Sequence, residues 1–294
     1  MPHLNRQLFF ILNATLKKGK SILLLGPRQT GKTTLLNQIQ SDWMLNFLEP
    51  RTRLRYERDP QLLADEIAGQ QATHPNQKLR VIIDEVQKIP QILDVIQYLI
   101  DRKQAQFVLT GSSARKLKRG SEINLLPGRL RVLRLDPLMI SELESPNNLN
   151  TLLFYGSLPA IYMQKDSDKE LDLQSYVLTY LEEEIRSEAI VRNLGAFSRF
   201  LESAAIESGQ LVNFTKLSNQ IGVSIHTIQS YYQILEDCLI VEKIPPLTQS
   251  DKRHKLTKSF KYLFFDMGVK RVAAQWGTQL APETMGRLFE EFVL

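Results

Sequence analysis

The sequence has a single cysteine, Cys238, and no long apolar run. One cysteine cannot form a disulfide within the chain, and it cannot supply the several thiolates of a cysteine-based zinc site. No stretch approaches the roughly 20 apolar residues that a membrane-spanning helix needs, and the N-terminal apolar run at residues 8–12 is too short for a secretory signal. We therefore expect a protein of the reducing cytoplasm without a membrane segment.

Glycine and proline are also scarce, with 14 and 13 residues in a chain of 294. This scarcity excludes collagen-like and low-complexity chains, and a hydrophobic content of 43% supports a sizeable buried core. The length corresponds to about two domains of ordinary size, of about 150 residues each. We expect a globular protein with more than one domain.

The net charge of +5 is small but unevenly distributed. Residues 102–134 contain nine Lys or Arg against one acid, residues 136–190 contain eleven acids against three basic residues, and residues 251–271 are again basic. Basic segments can bind the phosphates of a nucleotide or of nucleic acid, or they can simply form a solvated surface or contact an acidic domain. The charge pattern leaves these alternatives open.

Short apolar runs alternate with helix-length segments over the first 135 residues. Strands are predicted at 21–25, 79–83, 107–109 and 131–135, and an amphipathic helix is predicted at 89–103. This alternation favours a parallel α/β sheet with crossover helices. Beyond residue 137 the pattern is mainly helical to residue 207, with turn-like interruptions, one of them at 155–159.

The strongest motif follows the first predicted strand and has the Walker A spacing of Gly, four residues, Gly, Lys, Thr. Its glycines permit close approach and unusual backbone angles, so that successive N–H groups can point at phosphate oxygens, while the lysine adds a charge near the β and γ phosphates. A helix is predicted at 33–40. The residues predicted to bind a nucleotide are Gly26, Pro27, Arg28, Gln29, Thr30, Gly31, Lys32, Thr33 and Thr34.

Two acids, Asp84 and Glu85, end the second of these four predicted strands, 52 residues after Lys32. The carboxyl ends of parallel strands hold ligands in open α/β sheets, so both acids should face the phosphate loop. Thr33 and Asp84 are predicted to bind Mg²⁺, and Glu85 is predicted to be the base that orients or deprotonates the attacking water. Together these residues predict an ATP and Mg²⁺ site, although no base-reading motif distinguishes ATP from GTP.

Two further groups have alternative roles. Thr110 to Ser113 follow the next strand and either sense the γ phosphate or cap the following helix. Arg129 either acts as an arginine finger on a nucleotide of its own or a neighbouring subunit, or forms a surface salt bridge; a finger acting in trans would require a homo-oligomer. The basic cluster of Arg115, Lys116, Lys118 and Arg119 stays ambiguous.

Residues 214–235 read as two helices joined by a tight turn at Gly222-Val223, in the proportions of a winged helix. Ser224 is predicted to cap the second helix. The residues expected to face outward, His226, Thr227, Gln229 and Ser230, suit contact with DNA or with a protein. No Lys or Arg lies on the second helix, which weakens the DNA alternative because phosphate contacts supply most non-specific affinity.

Several motifs together resemble those of a prokaryotic AAA-type P-loop ATPase family whose members carry a C-terminal domain of unknown function. They include residues 26–34, 82–90, 109–117, 126–130, 155–159, 180–185 and 262–268, so the resemblance covers nearly the whole chain. It implies an ASCE-type core with sheet order 5-1-4-3-2, Glu85 as the catalytic glutamate and Thr110 at the sensor position. Family members usually continue into a domain that resembles restriction endonucleases, whereas this chain stops at Leu294.

The sequence therefore predicts an α/β P-loop NTPase core, a helical region and a winged-helix domain. The expected divisions are an ATPase core at 1–137, a helical lid or linker at 138–207, a winged helix at 208–275 and the start of a shortened C-terminal domain at 276–294. The predicted function is Mg²⁺-dependent ATP hydrolysis that moves the winged helix. The alternative is a nucleotide-gated regulator that binds DNA or protein with little or no turnover.

Overall fold

The chain divides into two compact units, residues 1–136 and 137–294. The computed structural model describes residues 4–73, 78–113, 117, 128–143, 149–181, 193–246, 260–277 and 279–293. The boundary coincides with the change of sequence pattern at Asp136-Pro137. The finer division of the second unit into lid, winged helix and C-terminal start stays a prediction.

The first unit contains a five-stranded parallel sheet. Its order is β2-β3-β4-β1-β5, which read from the other edge is the 5-1-4-3-2 order that the family resemblance implies. The strands are β1 (Ser21–Leu25), β2 (Trp43–Asn46), β3 (Leu79–Asp84), β4 (Ala105–Gly111) and β5 (Leu130–Arg134). The helices are α1 (Gln7–Lys17), α2 (Lys32–Leu36), α3 (Pro50–Arg58), α4 (Leu62–Thr73) and α5 (Ile92–Asp101).

The central strands of the sheet are the most deeply buried. Every residue of β1 and β4 is buried, as expected for central strands covered on both faces, and all four predicted strands are confirmed. The edge strand β2 was not predicted; of its four residues only Leu45 is buried. The helix predicted at 33–40 begins one residue early and ends at Leu36.

One face of this sheet is closed by the first two helices. Leu12 and Leu16 of α1, and Leu35 and Leu36 of α2, are almost fully buried in one cluster with apolar residues of β1, β3, β4 and β5. Burial of this kind contributes roughly 1.5–3 kcal/mol per large aliphatic side chain. The helix that follows the phosphate loop is thereby fixed on the sheet.

The second unit is mainly helical with a two-stranded antiparallel sheet. Its helices are α6 (Leu149–Tyr155), α7 (Pro159–Tyr162), α8 (Asp166–Ser175), α9 (Leu194–Ile206), α10 (Phe214–Ile221), α11 (Ile225–Asp237), α12 (Met267–Ala273) and α13 (Pro282–Val293). A π-helical segment, Tyr176–Leu181, follows α8. The strands are β6 (Val241–Ile244) and β7 (Lys261–Phe264).

Residues 214–235 form the two helices and tight turn that their sequence pattern predicts. The turn after α10 is formed by Gly222 in the left-handed conformation, with φ of 78°, and the Ser224 hydroxyl accepts a hydrogen bond from the Thr227 amide at 3.1 Å. The residues predicted for the core, Leu217, Ile221, Ile228 and Leu235, are buried. His226 and Gln229 are exposed, and Thr227 and Ser230 are partly exposed.

Two of the motifs that carried the family resemblance meet inside this unit. The buried Asp266 carboxylate accepts hydrogen bonds from the amides of Ser157 at 2.7 Å and Val269 at 3.0 Å. Gly156 has φ of 71°, and a β-carbon there would lie 2.0 Å from Asp266 Oδ1. Burial raises the pKa of the Asp266 carboxyl, although its backbone donors oppose this effect. The 155–159 turn is thus held against the start of α12.

The last described helix, α13, packs within the second unit. Leu288 is fully buried in a cluster with Leu153 and Met267. Glu291 forms a buried ion pair with Lys270 and accepts a hydrogen bond from the Ser208 hydroxyl at 2.8 Å. Among the described residues, no helix is long and apolar enough to cross a membrane.

Candidate nucleotide-binding site

Three strand ends meet at one edge of the sheet. In the parallel register, Leu24 of β1 pairs with Thr110 of β4 and Leu25 pairs with Gly111, while β3 ends beside β4 at Asp84. The phosphate loop leaves β1, the acidic pair leaves β3, and the hydroxyl residues leave β4. The sheet therefore assembles the three sequence motifs, which lie far apart along the chain.

The phosphate loop depends on glycine at Gly26. A β-carbon there would lie 2.4 Å from the carbonyl oxygen of Leu135, closer than real side chains allow. Gln29 and Gly31 adopt left-handed backbone angles, with φ of 63° and 91°. The buried Thr30 hydroxyl donates to the Pro27 carbonyl at 2.9 Å and so fixes the turn from inside. Conformations of this type form the nests of N–H groups that bind anions.

The lysine of the motif lies over its own loop. The Lys32 Nζ donates to the carbonyl oxygens of Gly26 and Pro27, both at 2.8 Å, and the residue is only 6% exposed. Arg28 and Gln29 are partly exposed at the tip of the loop, while Thr33 and Thr34 are exposed on α2. The predicted nucleotide-binding residues are thus together on one loop and the first turn of one helix.

Asp84 joins all three strand ends through two hydroxyl groups. Thr33 Oγ1 donates to Asp84 Oδ2 at 2.8 Å, and Thr110 Oγ1 donates to Asp84 Oδ1. The Glu85 amide in turn donates to Thr110 Oγ1 at 3.1 Å. The predicted metal ligands, Thr33 and Asp84, are therefore in direct contact, and the fully buried Thr110 holds the acidic pair from below.

Glu85 occupies an unusual backbone position. Its φ of 59° and ψ of 47° place a non-glycine residue in the left-handed region, which costs of order 1–3 kcal/mol and often marks a functional site. Its Oε2 accepts hydrogen bonds from the Ser112 hydroxyl, at 3.2 Å, and from the Gln87 amide. Ser112 thus contacts the predicted base, and the alternative that these hydroxyl residues cap a following helix stays a prediction.

The side-chain oxygens of Thr33 and Asp84 are of the kind that magnesium prefers. Mg²⁺ in phosphate sites takes one or two protein oxygen ligands and completes its octahedron with phosphate oxygens and water. The adjacent Thr33 hydroxyl and Asp84 carboxylate match this pattern. The described residues contain no cluster of three or more His, Cys, Asp or Glu side chains that could form a metal cage by themselves.

Arg6 was missed by sequence reasoning. It precedes α1 and is 8% exposed, and its guanidinium donates to the Thr30 carbonyl at 2.7 Å and to the Asp136 carbonyl at 2.5 Å. Arg6 therefore links the phosphate loop to the last residue of the first unit. No local pattern could have revealed this, because both acceptors are backbone groups remote in sequence.

Arg129 is not brought to the phosphate loop. It precedes β5, whose first residue Leu130 pairs with Ser21 at the start of β1, so Arg129 lies at the amino edge, about 15 Å of strand from the carboxyl edge. Its guanidinium donates to both carboxylate oxygens of the exposed Asp101, at 2.6 and 3.0 Å. These hydrogen bonds lower the pKa of Asp101 and raise that of Arg129. The described contact is the surface salt bridge, and the finger in trans stays a prediction.

The basic cluster of Arg115, Lys116, Lys118 and Arg119 lies outside the described residues. The same is true of residues 251–259, the greater part of the third basic segment, and of residues 182–185 from the family motifs. Predictions on these segments stay open.

Two family models match the chain, and the boundary between them lies close to the boundary between the two compact units. Residues 18–144 match a family model described as an AAA domain, and residues 146–280 match one described as a domain of unknown function (DUF8612). The first match supports an AAA-type P-loop ATPase family and agrees with the sheet order. At that level the match suggests a P-loop ATPase-like function.

Curated relatives extend across both units. The chain is 27% identical over 294 residues to uncharacterized proteins of Mycobacterium tuberculosis and Mycobacterium bovis, covering 96% of this chain and 63% of each relative. An uncharacterized protein of Methanocaldococcus jannaschii is 26% identical over 325 residues, covering 94% of this chain and 67% of that relative. The chain therefore spans less than two thirds of the length of its mycobacterial relatives.

Proposed function

We propose that this chain is a Mg²⁺-dependent ATPase. The observation that carries the proposal is the hydrogen bond of 2.8 Å between Thr33 and Asp84, which joins the phosphate loop to the acidic pair. A glycine-rich turn that fitted the motif by chance would not place its threonine against a strand-end carboxylate beside a candidate base. The match of residues 18–144 to an AAA domain supports the same conclusion.

In this proposal the loop residues 26–34 bind the triphosphate through backbone amides, and Lys32 exchanges its carbonyl partners for phosphate oxygens. Thr33 and Asp84 hold Mg²⁺, which supplies charge neutralisation to the phosphates. Glu85 accepts a proton from water as the water oxygen bonds to the γ phosphorus. The bond from the γ phosphorus to the bridging oxygen breaks, which leaves ADP and inorganic phosphate.

Thr110 acts on the acidic pair. Its hydroxyl donates to Asp84 and accepts from the Glu85 amide, so it sets the relative position of the metal ligand and the base. These hydrogen bonds support a sensor role for Thr110 that acts through Asp84 and Glu85.

We also propose that nucleotide state is coupled to movement of a winged helix in the second unit. Support comes from the order of its elements: α9, an isolated bridge between Leu211 and Lys261, the α10–α11 pair, and the antiparallel β6 and β7. This order is typical of winged helices. Arg6 bonds both the phosphate loop and Asp136, and so offers a mechanical connection from the nucleotide to the end of the first unit.

The second candidate is a nucleotide-gated regulator that binds DNA or a protein. The exposed His226 and Gln229 on α11 favour it, because polar side chains at the start of such a helix can contact a partner. Strong salt dependence of DNA binding would support a DNA partner. Absence of DNA binding at low salt would leave only a protein partner.

The experiment that separates these candidates measures phosphate release and ATP binding on the same preparations. We expect the wild-type protein to hydrolyse ATP only with Mg²⁺. Glu85→Gln should still bind ATP but lose turnover by at least about 100-fold. The control Glu57→Gln, at an exposed position on α3, should behave like the wild type. Binding without any wild-type turnover would support the regulator. No binding of ATP with Mg²⁺ would refute both.

A further inference from the structure

The amide of Gln87 contacts the predicted base from the turn that follows it. Gln87 lies in a short 3-10 helix, Val86–Lys88, and is 4% exposed. Its Nε2 donates to Glu85 Oε2 and, at 3.0 Å, to the Ser112 hydroxyl, which itself donates to Glu85 Oε2 at 3.2 Å. One carboxylate oxygen of Glu85 is therefore held by two donors that also contact each other.

The orientation of this amide has a cost. Gln87 Oε1 is buried and has no hydrogen-bond partner among the described residues. Leaving a buried acceptor unpaired is unfavourable, and amide orientation follows the hydrogen-bond network. Turning the amide over would pair that oxygen with the Ser112 hydroxyl, but it would also direct an oxygen at the Glu85 carboxylate. The contact with Glu85 therefore decides the orientation.

The sheet provides the space for this arrangement. A β-carbon on Gly111, at the end of β4, would lie 2.9 Å from Gln87 Oε1. Gly111 therefore leaves room for the Gln87 amide, which would have to shift if residue 111 had a side chain. Gln87 touches neither the phosphate loop nor the predicted metal ligands in any described hydrogen bond.

We propose that Gln87 is the positioning residue of the catalytic base in ATP hydrolysis, an inference that rests on the proposed function. Gln87 and Ser112 fix Glu85 Oε2, and this leaves Oε1 to accept the proton of the attacking water. A correctly placed general base contributes about 10²–10⁴-fold to rate. A carboxylate that can rotate away loses part of this factor, so we expect removal of the Gln87 amide to lower kcat about 10–100-fold.

The test uses Gln87→Met, which keeps the unbranched shape and removes both polar groups. Its matched control is Gln106→Met, since Gln106 is also buried and its amide donates to the carbonyls of Leu16 and Lys20, both at 2.9 Å. We expect Gln87→Met to lower kcat with its Kd for a non-hydrolysable ATP analogue within about threefold of wild type. Gln106→Met should lower stability but leave kcat unchanged.

A double-mutant cycle distinguishes positioning from a general structural effect. If Gln87 acts through the Glu85 carboxylate, Gln87→Met should cause no further loss in the Glu85→Gln background, measured with radiolabelled ATP. A loss that multiplies in that background, or a Gln87→Met kcat within about threefold of wild type, would overturn the inference while the proposed function stands. Absence of wild-type turnover would overturn both.

If Gln87→Met does not fold, Ser112→Ala decides. It removes one donor to Glu85 and the hydroxyl that accepts from Gln87. We expect a kcat loss of about three- to tenfold, again absent in the Glu85→Gln background. Unchanged kcat in Ser112→Ala would overturn the inference.

Discussion

Breaking the buried ion pair of Lys270 and Glu291 should destabilise the second unit far more than replacing both residues. The two side chains are 1% and 4% exposed. Removing one partner of such a pair leaves a buried charge without compensation and costs about 3–5 kcal/mol. Replacing both with apolar residues of similar volume is often neutral or stabilising, because both desolvation costs disappear.

The variants are Lys270→Met, Glu291→Met and the double substitution. Lys270→Met leaves the Glu291 carboxylate with its Ser208 hydrogen bond but without the ammonium group. Glu291→Met should cost less than Lys270→Met, because burial lowers the pKa of Lys270 and the amine can release its proton. The double variant should lie within about 1 kcal/mol of the wild type, which gives a coupling energy of at least about 2–3 kcal/mol.

The chain has a built-in probe for this measurement. One of its two tryptophans, Trp43, lies in the first unit, and the other, Trp276, lies in the second with its ring 5.5 Å from Lys270 Nζ. In a Trp43→Phe background, fluorescence during thermal denaturation reports the second unit alone. The Tm of this unit should fall by about 6–20 °C in Lys270→Met. Equal losses in the single and double variants would refute the argument from desolvation.

Three further predictions concern the phosphate loop, its connection to Asp136, and pH. Gly26→Ala should weaken ATP binding in calorimetry by more than about 100-fold, or about 2.7 kcal/mol, because the new β-carbon would meet Leu135 O at 2.4 Å. The control is Gly69→Ala in the middle of α4, where no atom lies within 4 Å of the new β-carbon. This substitution should raise stability by about 0.5–1 kcal/mol. A loss of ATP binding in Gly69→Ala as well would contradict this reasoning. Arg6→Met should weaken ATP binding and lower the Tm of the first unit, since the Thr30 carbonyl and the partly buried Asp136 carbonyl lose charged donors worth about 1.5–3 kcal/mol each. Arg6→Lys should restore one contact, and equal behaviour of the two variants would count against the role of the guanidinium fork. Burial raises the folded-state pKa of Asp266 above 3.8, so its contribution to stability is complete below about pH 3.8 and declines as pH rises through the folded pKa. The difference in unfolding free energy between wild type and Asp266→Asn should therefore shrink as pH rises over this window, and a difference that grows would contradict the direction of the shift.

Much of the first unit could be predicted from local pattern. The strands β1, β3, β4 and β5 are short runs rich in apolar residues next to turn residues, and the central strands β1 and β4 are buried along their whole length. The strand β2 was not predicted; it is an edge strand of four residues, of which only Leu45 is buried. The sheet order came from the resemblance and is confirmed by the pairing.

The phosphate loop and its acidic partners were also visible in the sequence, since the motif encodes its own backbone geometry. Arg129 shows the limit of such reading, because a Gly-Arg pair gives no information about which edge of the sheet it reaches. Arg6 gave no signal, and Gln87 lay within the motif at residues 82–90 without a predicted role. Their contacts with Glu85, Thr30 and Asp136 depend on side-chain direction and on chain segments that approach only in the folded state.

The sequence by itself determined the chemistry that is local: a glycine-rich loop that can bind phosphate, a carboxylate pair at a strand end, and a helix pair with its cap and turn. These features depend on residues within a few positions of each other, whose conformations sterics and short-range hydrogen bonds restrict. Only the tertiary structure decided which groups share an edge, because parallel strands are joined by long crossovers and their register is set by the packing of the whole sheet. The contact between Thr33 and Asp84, 51 positions apart, exists for that reason.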